Sequence, residues 1–275
     1  MENSLVSIAM ATYNGERFLR EQIDSIAKQT YTNLEIIICD DCSTDDTWPI
    51  LEEYARTDSR IQIFQNKKNL GTVKNFETAI SKCKGVFIAL SDQDDIWLSQ
   101  KIEICMQHML QTTATHPGIP VLVHTDLCLI DETGKRLASS MWNEQKNFPH
   151  LYTYPEQVAV HNFVTGCTLL MNRESLAISL PFPLEVVMHD WWIALNVIKK
   201  GLIVSIDIPT ILYRQHGNNQ IGFHKNDTTF FIQKLFQVSQ TIGNNQKVWH
   251  MLKALDFPIN ILKLIYYKIV FSIFR

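Results

Sequence analysis

The chain has 275 residues, enough for one large α/β domain with a sizeable core. Its 46% hydrophobic and 19% charged residues exclude a chain that is disordered throughout. The 25 basic and 28 acidic residues give a net charge of −3, without the basic excess typical of nucleic-acid-binding proteins, so we expect no nucleic-acid partner.

Two sequence periods alternate along the N-terminal third of the chain. Short apolar runs predict strands and helical spacing predicts helices, the strands at 5–11, 34–39, 61–64 and 86–90 and the helices at 15–28, 44–55 and 71–83. Strands that alternate with helices form right-handed crossovers, so this order predicts a wound, mostly parallel sheet flanked by helices. The strands are apolar throughout, as expected when helices cover both faces.

The rest of the chain has a less regular pattern. It predicts helices at 97–110 and 190–199, strands at 120–125, 127–130, 158–171, 202–206 and 211–217, and a surface loop at 138–156. A polar loop extends to residue 222, and from residue 227 the spacing is helical, with interruptions at Gly243 and Pro258. We therefore expect a helical extension at the C-terminus.

Polar residues follow three of the predicted strands, at 12–14, 40–41 and 92–95. Ligands of open α/β sheets bind at the carboxyl ends of strands. Asp92 and Asp94 stand one residue apart and can face one Mg²⁺ or Mn²⁺ ion, which such carboxylates share with a substrate diphosphate. The alternative is a solvated acidic turn. No glycine-rich phosphate or dinucleotide motif is present, which argues against P-loop nucleotidases and dinucleotide-binding oxidoreductases.

Several segments, in this order and at this spacing, carry a family resemblance: SIAMATYNG at 7–15, QT at 29–30, IICDDCSTD at 37–45, NLG at 69–71 and DQDDIW at 92–97. They resemble the family 2 nucleotide-sugar glycosyltransferases of the A-type fold. The HDWW at 189–192 and the YRQHGNN at 213–219 are most similar to the rhamnosyltransferase-like branch, whose members build bacterial surface polysaccharides.

The resemblance implies an A-type glycosyltransferase fold in three parts. Residues 1–95 would form the half that binds the nucleotide-sugar, and residues 96–222 would form the acceptor-binding half of the same domain. Residues 223–275 would form the helical extension with an amphipathic tail. The implied partners are a nucleotide-sugar donor and a saccharide or lipid-linked acceptor, and a homodimer stays open.

The resemblance also implies a set of donor contacts, which are Thr12, Tyr13, Asn14, Asp40, Asp41, Lys74, Asp92, Gln93 and Arg214. Tyr13 would pack on the nucleobase and Asp41 would accept a hydrogen bond from the base. Arg214 would suit bidentate contact with a phosphate. Lys74 would contact a phosphate, with a surface lysine as the alternative.

A divalent cation, Mg²⁺ or Mn²⁺, is implied at Asp92, Asp94 and His216. A loop histidine without a role is the alternative for His216. His124 and Asp126 alternate on a predicted strand, so they share one face and either line the crevice or support it.

Asp190 falls where the family places its general base, after an apolar strand and at the start of a helix. A helix N-terminus favours the ionised carboxylate that a base requires. The alternative is a helix-capping aspartate. The family often has Glu-Asp or Asp-Asp here, whereas this chain has His189-Asp190. Gly166 and Trp191 are the implied acceptor-side residues.

The implied activity is metal-dependent, inverting transfer of a hexosyl group, with L-rhamnose from dTDP-L-rhamnose as the preferred donor. A UDP-hexose donor stays open. A nucleotidyltransferase is another alternative, although such enzymes usually carry a glycine-rich basic loop where this chain has residues 12–16. A non-catalytic protein of polysaccharide assembly is the remaining one.

The sequence predicts a cytoplasmic protein at a membrane surface. We find no secretory signal and no apolar run of about 18 residues, and we expect the six cysteines to be reduced. Residues 259–275 form an amphipathic pattern whose charges, Lys263, Lys268 and Arg275, are all basic. This predicts a helix in the membrane interface. The alternative is a helix that docks on the catalytic domain or on a second subunit.

Overall fold

The computed structural model describes residues 3–146, 149, 154–217, 238–257, 259–260, 262–264 and 266–267. Its elements in chain order are β1 (Val6–Thr12), α1 (Leu19–Ala27), β2 (Leu34–Asp40), α2 (Thr47–Thr57), β3 (Ile61–Gln65), α3 (Thr72–Lys82), β4 (Phe87–Ser91), β5 (Ile96–Trp97), α4 (Lys101–Thr115), β6 (Val121–Asp131), β7 (Arg136–Ala138), α5 (Met141–Gln145), α6 (Pro155–Val160), a 3-10 turn (Gly166–Thr168), β8 (Leu170–Asn172), α7 (Arg173–Ser179), α8 (His189–Lys200), β9 (Leu202–Gln215) and α9 (Val238–Ala254).

The described strands form one nine-stranded sheet in the order β3-β2-β1-β4-β8-β6-β9-β5, with β7 paired to β6. The first four strands are parallel to one another, and β6 is parallel to β9. Strand β8 is antiparallel to both β4 and β6 and joins the two parallel parts. The predicted wound sheet flanked by helices is confirmed, with a mixed second half.

Strand register brings the site-bearing loops to one edge of the sheet. Thr12 at the end of β1 pairs with Asp40 at the end of β2, and Met10 pairs with Ser91 at the end of β4. The chain therefore leaves three neighbouring strands at the same level, as expected for parallel strands that each return through a helix.

Both faces of the sheet are buried, which explains the continuous apolar strands. On β1, Ile8 and Met10 belong to one core cluster with α1, α2 and α4, while Ala9 belongs to the other cluster with α3 and α8. The alternation of side chains along each strand sends successive residues to opposite faces. Helix packing on both faces thus fixes which loops surround the carboxyl edge.

Several predicted elements of the second half were wrong. The strand predicted at 158–171 is helix α6, an irregular segment, a 3-10 turn and the short β8. The helix predicted from 97 begins at Lys101, because Trp97 pairs with Ile211 of β9. The surface loop predicted at 138–156 contains α5, whose first turn is capped by Ser140. An apolar run that is buried all round carries no period that distinguishes helix from strand.

Two pairs of predicted strands are each one strand. The runs at 120–125 and 127–130 form β6, and those at 202–206 and 211–217 form β9, which has 14 residues. The β6–β9 ladder shifts register near Asp126, opposite Pro209. A bulge absorbs the polar and proline residues that made each run appear interrupted.

The C-terminal extension packs on the sheet-containing domain as far as it is described. Val248, Met251 and Leu252 of α9 join the core cluster of α8, as do Ile259 and Leu264 further along. Most of the predicted membrane helix and residues 218–237 lie outside the described residues, so the boundary at 222 stays a prediction. No helix in the described part of the chain is long and apolar enough to cross a membrane.

Candidate functional site

A cavity of about 960 Å³ opens at the carboxyl edge of the sheet. Its walls come from the loops after β1, β2 and β4, the start of α3, residues 160–166 and the start of α8. Most predicted site residues line it, namely Thr12, Tyr13, Asn14, Asp41, Asp92, Gln93, Asp94, Gly166, Asp190, Trp191 and His216. The topology thus brings donor-side and acceptor-side residues into one space.

Tyr13 is presented to the cavity by a backbone clamp. Its N–H donates to Gln93 Oε1 at 2.8 Å, and Gln93 Nε2 donates to the Tyr13 carbonyl at 3.0 Å. A Cβ at Gly15 would lie 2.3 Å from Gln93 Oε1, so the residue after Asn14 must be glycine for this clamp to form. The Tyr13 side chain is 46% exposed, which leaves its ring free to stack on a ligand.

Asp41 organises the loop that follows β3. Its carboxylate accepts hydrogen bonds from the backbone N–H groups of Leu70 and Gly71, each at 2.8 Å, and from Asn66 Nδ2 at 2.8 Å. Gly71 has φ +82°, a conformation that glycine adopts without strain. Asp41 therefore positions the cavity wall as well as facing the cavity.

Asp94 and His216 form a pair at the end of β4 and β9. Asp94 Oδ2 lies 2.8 Å from His216 Nε2, and both residues border the cavity with Asp92. Burial, together with the charges of Asp94 and Asp190, raises the pKa of Asp92 to about 7. Clustered acidic side chains of this kind are stabilised by a cation.

The donor set at this corner fits a hard divalent cation. Asp92 and Asp94 supply carboxylate oxygens, the ligands that Mg²⁺ and Mn²⁺ prefer, and His216 supplies an imidazole nitrogen. Asp92, Asp95 and Cys167 place one ligand atom each within 4.8 Å of one another. The sequence reasoning missed Asp95 and Cys167; the run of acidic residues at 92–95 was the signal for Asp95, but Cys167 is distant in sequence.

Asp190 stands in the first turn of α8, 7% exposed, among three hydrogen-bond donors. Its Oδ2 accepts from the Gly166 N–H at 3.0 Å, and its Oδ1 accepts from Asn162 Nδ2 at 3.1 Å and from the Trp191 N–H at 2.6 Å. Burial raises the pKa of Asp190 to about 6, and these hydrogen bonds oppose the rise. The carboxylate is therefore positioned and available as a proton acceptor near neutral pH.

His189 stands directly before Asp190, where the resemblance implies an acidic residue. Its ring stacks on Phe76 with centroids 3.9 Å apart, and burial lowers its pKa to about 3. A Cβ at Gly166 would lie 2.9 Å from His189 Nε2, so glycine is required there. The imidazole is therefore neutral and adds no charge beside Asp190.

Trp191 borders the cavity with its ring fixed from behind. Its Nε1 donates to the Val158 carbonyl at 2.6 Å, and Val158 lies in α6. A fixed indole beside Asp190 offers a flat apolar surface to a sugar ring. Helix α6, where a strand was predicted, is what holds this indole.

Two predicted donor contacts do not line the cavity. Asp40 is fully buried and accepts from the Ser43 N–H at 3.0 Å and from Gln65 Nε2 at 3.1 Å. Lys74 Nζ pairs with Glu77 at 2.6 Å and donates to the Phe182 carbonyl. Asp40 thus supports the loop after β2. Lys74 is a lysine on the helix surface, which was the alternative to a phosphate contact.

Arg214 is also not on the cavity wall. Its side chain is 2% exposed; Nη2 pairs with Glu21, and Nε donates to the Asp94 carbonyl at 3.0 Å. Its guanidinium carbon lies 4.5 Å from the centroid of Phe18. The guanidinium supports the backbone of the acidic corner, which corrects the predicted phosphate contact.

His124 and Asp126 do not face the crevice either. His124 is fully buried beside Ser205 Oγ, 2.8 Å from Nε2, and burial lowers its pKa to about 3. Asp126 accepts from the N–H groups of Leu127 at 2.7 Å and Trp142 at 3.2 Å. Both residues tie α5 and β9 to β6, so the supporting role is the one the structure favours.

Comparisons with known proteins agree with this geometry. The family model "Glycosyl transferase family 2" matches residues 7–177. The β-1,3-glucosyltransferase WfaP of Escherichia coli, named for transfer from UDP-Glc to α-D-GlcNAc-diphosphoundecaprenol, is 44% identical over 78% of this chain and 79% of its own length. The dTDP-rhamnosyl transferase RfbG of Shigella flexneri is 30% identical over 78% of this chain and 73% of its own.

Solved structures share the fold at low sequence identity. TarS of S. aureus, solved with UDP-GlcNAc, matches with a TM-score of 0.61 and 19% identity over 78% of this chain and 60% of that one. The mannosyltransferase PcManGT of Pyrobaculum calidifontis, solved with GDP-Man and Mn²⁺, matches with a TM-score of 0.58 and 18% identity over 78% of this chain and 58% of that one. The predicted A-type fold is confirmed, and the chain belongs to glycosyl transferase family 2.

Proposed function

We propose that the chain transfers a hexosyl group from a nucleoside-diphosphate sugar to a hydroxyl of a lipid-linked saccharide in bacterial surface polysaccharide assembly. The observation that supports this most is one cavity bordered by Tyr13 and Asp41, by Asp92 and Asp94, and by Asp190. A single displacement needs three things: a surface on which the nucleobase stacks, an acidic corner that binds a metal and the diphosphate, and a proton acceptor.

In the proposed reaction, the acceptor hydroxyl lies against Asp190. Its oxygen attacks the anomeric carbon while Asp190 takes the hydroxyl proton, and the bond from that carbon to the diphosphate oxygen breaks. The nucleoside diphosphate leaves with the bonding electrons. One displacement from the opposite face inverts the anomeric centre, and no covalent enzyme intermediate forms.

Asp92, Asp94 and His216 would hold the divalent cation, Mg²⁺ or Mn²⁺. Such an ion supplies positive charge to the leaving diphosphate when it is bound. Asp95 and Cys167 each have a ligand atom within 4.8 Å of one on Asp92, and neither residue borders the cavity. The hydrogen bond between His216 and Asp94 orients the Asp94 carboxylate toward the cavity.

Two donors compete within this proposal. The relative at 44% identity is named for UDP-Glc, which favours UDP-glucose. The rhamnosyltransferase-like motifs and a relative at 30% identity named as a dTDP-rhamnosyl transferase favour dTDP-L-rhamnose. We place UDP-glucose first, because the higher identity extends over a similar share of the chain.

The test is a transfer assay with a GlcNAc-diphospholipid acceptor and Mn²⁺ or Mg²⁺. UDP-glucose, UDP-galactose and dTDP-L-rhamnose are compared, with the Asp190→Asn variant as the matched control. We expect one donor to give an elongated lipid product with wild-type protein and background levels with the variant. Equal product from both proteins would contradict the role of Asp190, and no binding of any nucleotide by wild-type protein would contradict the proposed function.

We also propose that the chain works at the cytoplasmic membrane surface through its C-terminal tail. Leu262 and Tyr266 lie one helical turn apart and are 75% and 62% exposed, while Leu264 is buried against the domain. An exposed apolar stripe with Lys263 beside it suits an anionic lipid surface. Binding there would raise the local concentration of a lipid-linked acceptor.

A further inference from the structure

Arg17 is the cation that the cavity presents to solvent. Among the described residues that border the cavity, it is the single arginine or lysine, whereas four carboxylates border it, those of Asp41, Asp92, Asp94 and Asp190. A donor diphosphate carries negative charge into this acidic space, so a fixed positive charge on the wall has a clear electrostatic use.

Arg17 lies at the acidic corner of the cavity. Its guanidinium carbon is 4.7 Å from the centroid of the Phe18 ring. The same ring lies 5.1 Å from the ring of His216, whose Nε2 is 2.8 Å from Asp94 Oδ2. The Phe18 ring is therefore close both to the Arg17 guanidinium and to His216, one of the residues that would hold the metal.

The present partner of Arg17 is exchangeable. Its Nη1 lies 2.9 Å from Glu132 Oε2, and the two side chains are 62% and 51% exposed. Exposed ion pairs contribute little to stability, because water competes for both charges. Arg214, by contrast, is 2% exposed and fully engaged with Glu21 and the Asp94 carbonyl.

We propose that Arg17 binds the diphosphate of the donor and leaves Glu132 when the donor enters. This inference rests on the proposed function and adds a specific phosphate contact to it. The guanidinium fork matches two phosphate oxygens, and the stack on Phe18 keeps the fork oriented. Glu132, in the turn between β6 and β7, acts as a competing anion that holds Arg17 in place until the donor binds.

The test uses binding of UDP and dTDP, each with Mn²⁺, measured by calorimetry on the full chain. For Arg17→Gln we expect a Kd that is about 10- to 30-fold weaker, the usual loss for a hydrogen bond to a charged group. Uridine and thymidine carry no phosphate, so their binding should change less than about twofold. Arg17→Lys keeps the charge but loses the guanidinium fork, so its Kd should lie between that of wild type and that of Arg17→Gln.

Arg20 supplies a matched control three residues along. It forms an ion pair with Glu53 at 2.7 Å, with side chains 49% and 56% exposed, and does not border the cavity. Arg20→Gln should leave nucleotide binding within about twofold of wild type. A loss equal to that of Arg17→Gln would show a general effect of net charge and would overturn the proposal.

Glu132→Gln separates competition from simple charge removal. It should tighten UDP binding by about two- to fivefold in the wild-type background and have no effect when combined with Arg17→Gln. An equal gain in both backgrounds would overturn the competing role of Glu132. Unchanged UDP binding by Arg17→Gln would overturn the contact itself, whereas a wild-type protein that binds neither nucleotide would overturn the proposed function and this contact with it.

Discussion

The two walls of the cavity are held in place by opposite means. In the nucleotide wall, named for its proposed ligand and comprising Thr12, Tyr13, Asn14, Asp41 and Gln93, the exposed Tyr13 is positioned by two hydrogen bonds with Gln93. The Tyr13 N–H donates to Gln93 Oε1, and the Tyr13 carbonyl accepts from Gln93 Nε2. In the base wall, named for the proposed role of Asp190 and comprising Asn162, Gly166, Asp190 and Trp191, the Asp190 carboxylate is itself the acceptor that joins the others. The nucleotide wall can therefore be loosened without removal of its ligand-binding group, whereas the base wall cannot.

The largest effect is expected from Asp190→Asn in the base wall. Asparagine keeps an oxygen that accepts hydrogen bonds from Asn162 and Trp191, but it cannot take a proton from the acceptor. Loss of a general base typically lowers turnover by about 10²–10⁴-fold. We expect a loss of about 10³-fold in transfer rate with a donor Kd within about threefold of wild type, measured by single-turnover transfer and calorimetry.

The same variant distinguishes the two walls. If the variant loses donor binding but keeps its residual transfer, Asp190 contacts the donor and is not the base. The functional distinction between the two walls would then be wrong. Thermal unfolding serves as the control, because Asp190 also accepts from the Gly166 N–H. A midpoint close to that of wild type shows that the lost transfer comes from chemistry and not from the wall.

The next effect is expected at Asp94, which lies between the two walls. Asp94→Asn removes one negative charge from the corner and weakens the hydrogen bond with His216. We expect transfer to fall by about 10²-fold and Mn²⁺ to be needed at higher concentration, as for other changes around metal ligands. Full activity of this variant in the presence of a chelator would contradict the metal assignment.

A pH profile tests the environment of the base. Burial raises the pKa of Asp190 to about 6, and a base must be ionised to act. The ionised fraction is nearly complete above that pKa and falls as pH decreases through it. Because Asp92, whose pKa is raised to about 7, also gains a proton in this range, the profile is measured as kcat at saturating donor and Mn²⁺, and we expect kcat to fall about tenfold per pH unit below the pKa of Asp190. A flat profile between about pH 5 and pH 7 would show that the carboxylate is not desolvated as the structure has it.

A smaller effect is expected from Gln93→Leu in the nucleotide wall. The change removes both hydrogen bonds to the Tyr13 backbone, each worth about 1 kcal/mol, so the Kd for UDP should weaken by up to about 30-fold. Turnover at saturating donor should stay within about twofold, because no reacting group changes. Gln93→Glu keeps the acceptor for the Tyr13 N–H, but it turns a carboxylate oxygen toward the Tyr13 carbonyl and adds a negative charge to the acidic cavity, so its loss should be at least as large. Equal losses in kcat and in binding would break the distinction between the walls.

The sequence was informative about the nucleotide wall because its signals are local. Each of β1, β2 and β4 is an apolar run followed at once by its polar residues, so strand and site were predicted together. Parallel register then brings Thr12 level with Asp40 without any long-range information. Tyr13, Asp41 and Gln93 were therefore predicted as site residues, and they do border the cavity.

The base wall depends on pairings that are distant in sequence. Asp190 was predicted from its place at a helix start, but its partner Asn162 lies in a stretch that was predicted as strand. Arg214 pairs with Glu21, 193 positions away, and no local pattern indicates that its guanidinium is buried. Arg17 was not predicted, since its position on the cavity wall follows from the stack on Phe18.

The smallest effect on catalysis is expected at the C-terminal tail, none of whose described residues borders the cavity. Leu264 is 4% exposed in the core cluster of α8, so Leu264→Ala should lower the free energy of unfolding by about 2 kcal/mol. Leu262 and Tyr266 are on the exposed side, so Leu262→Glu with Tyr266→Glu should change it by less than about 0.5 kcal/mol. Neither variant should change transfer to a soluble acceptor by more than about twofold.

Sedimentation with anionic vesicles then decides between the membrane and docking roles of the tail. If Leu262 and Tyr266 contact lipid, the double glutamate variant should stay in the supernatant at low salt, because it places two negative charges at an anionic surface and removes two apolar side chains. Leu264→Ala should still sediment, since its side chain faces the domain. Deletion from Pro258 onward should release the chain as well, but it also removes the buried Ile259 and Leu264. Reduced stability of the truncated chain, together with sedimentation of the double variant at the wild-type level, would instead assign the tail to docking on the catalytic domain.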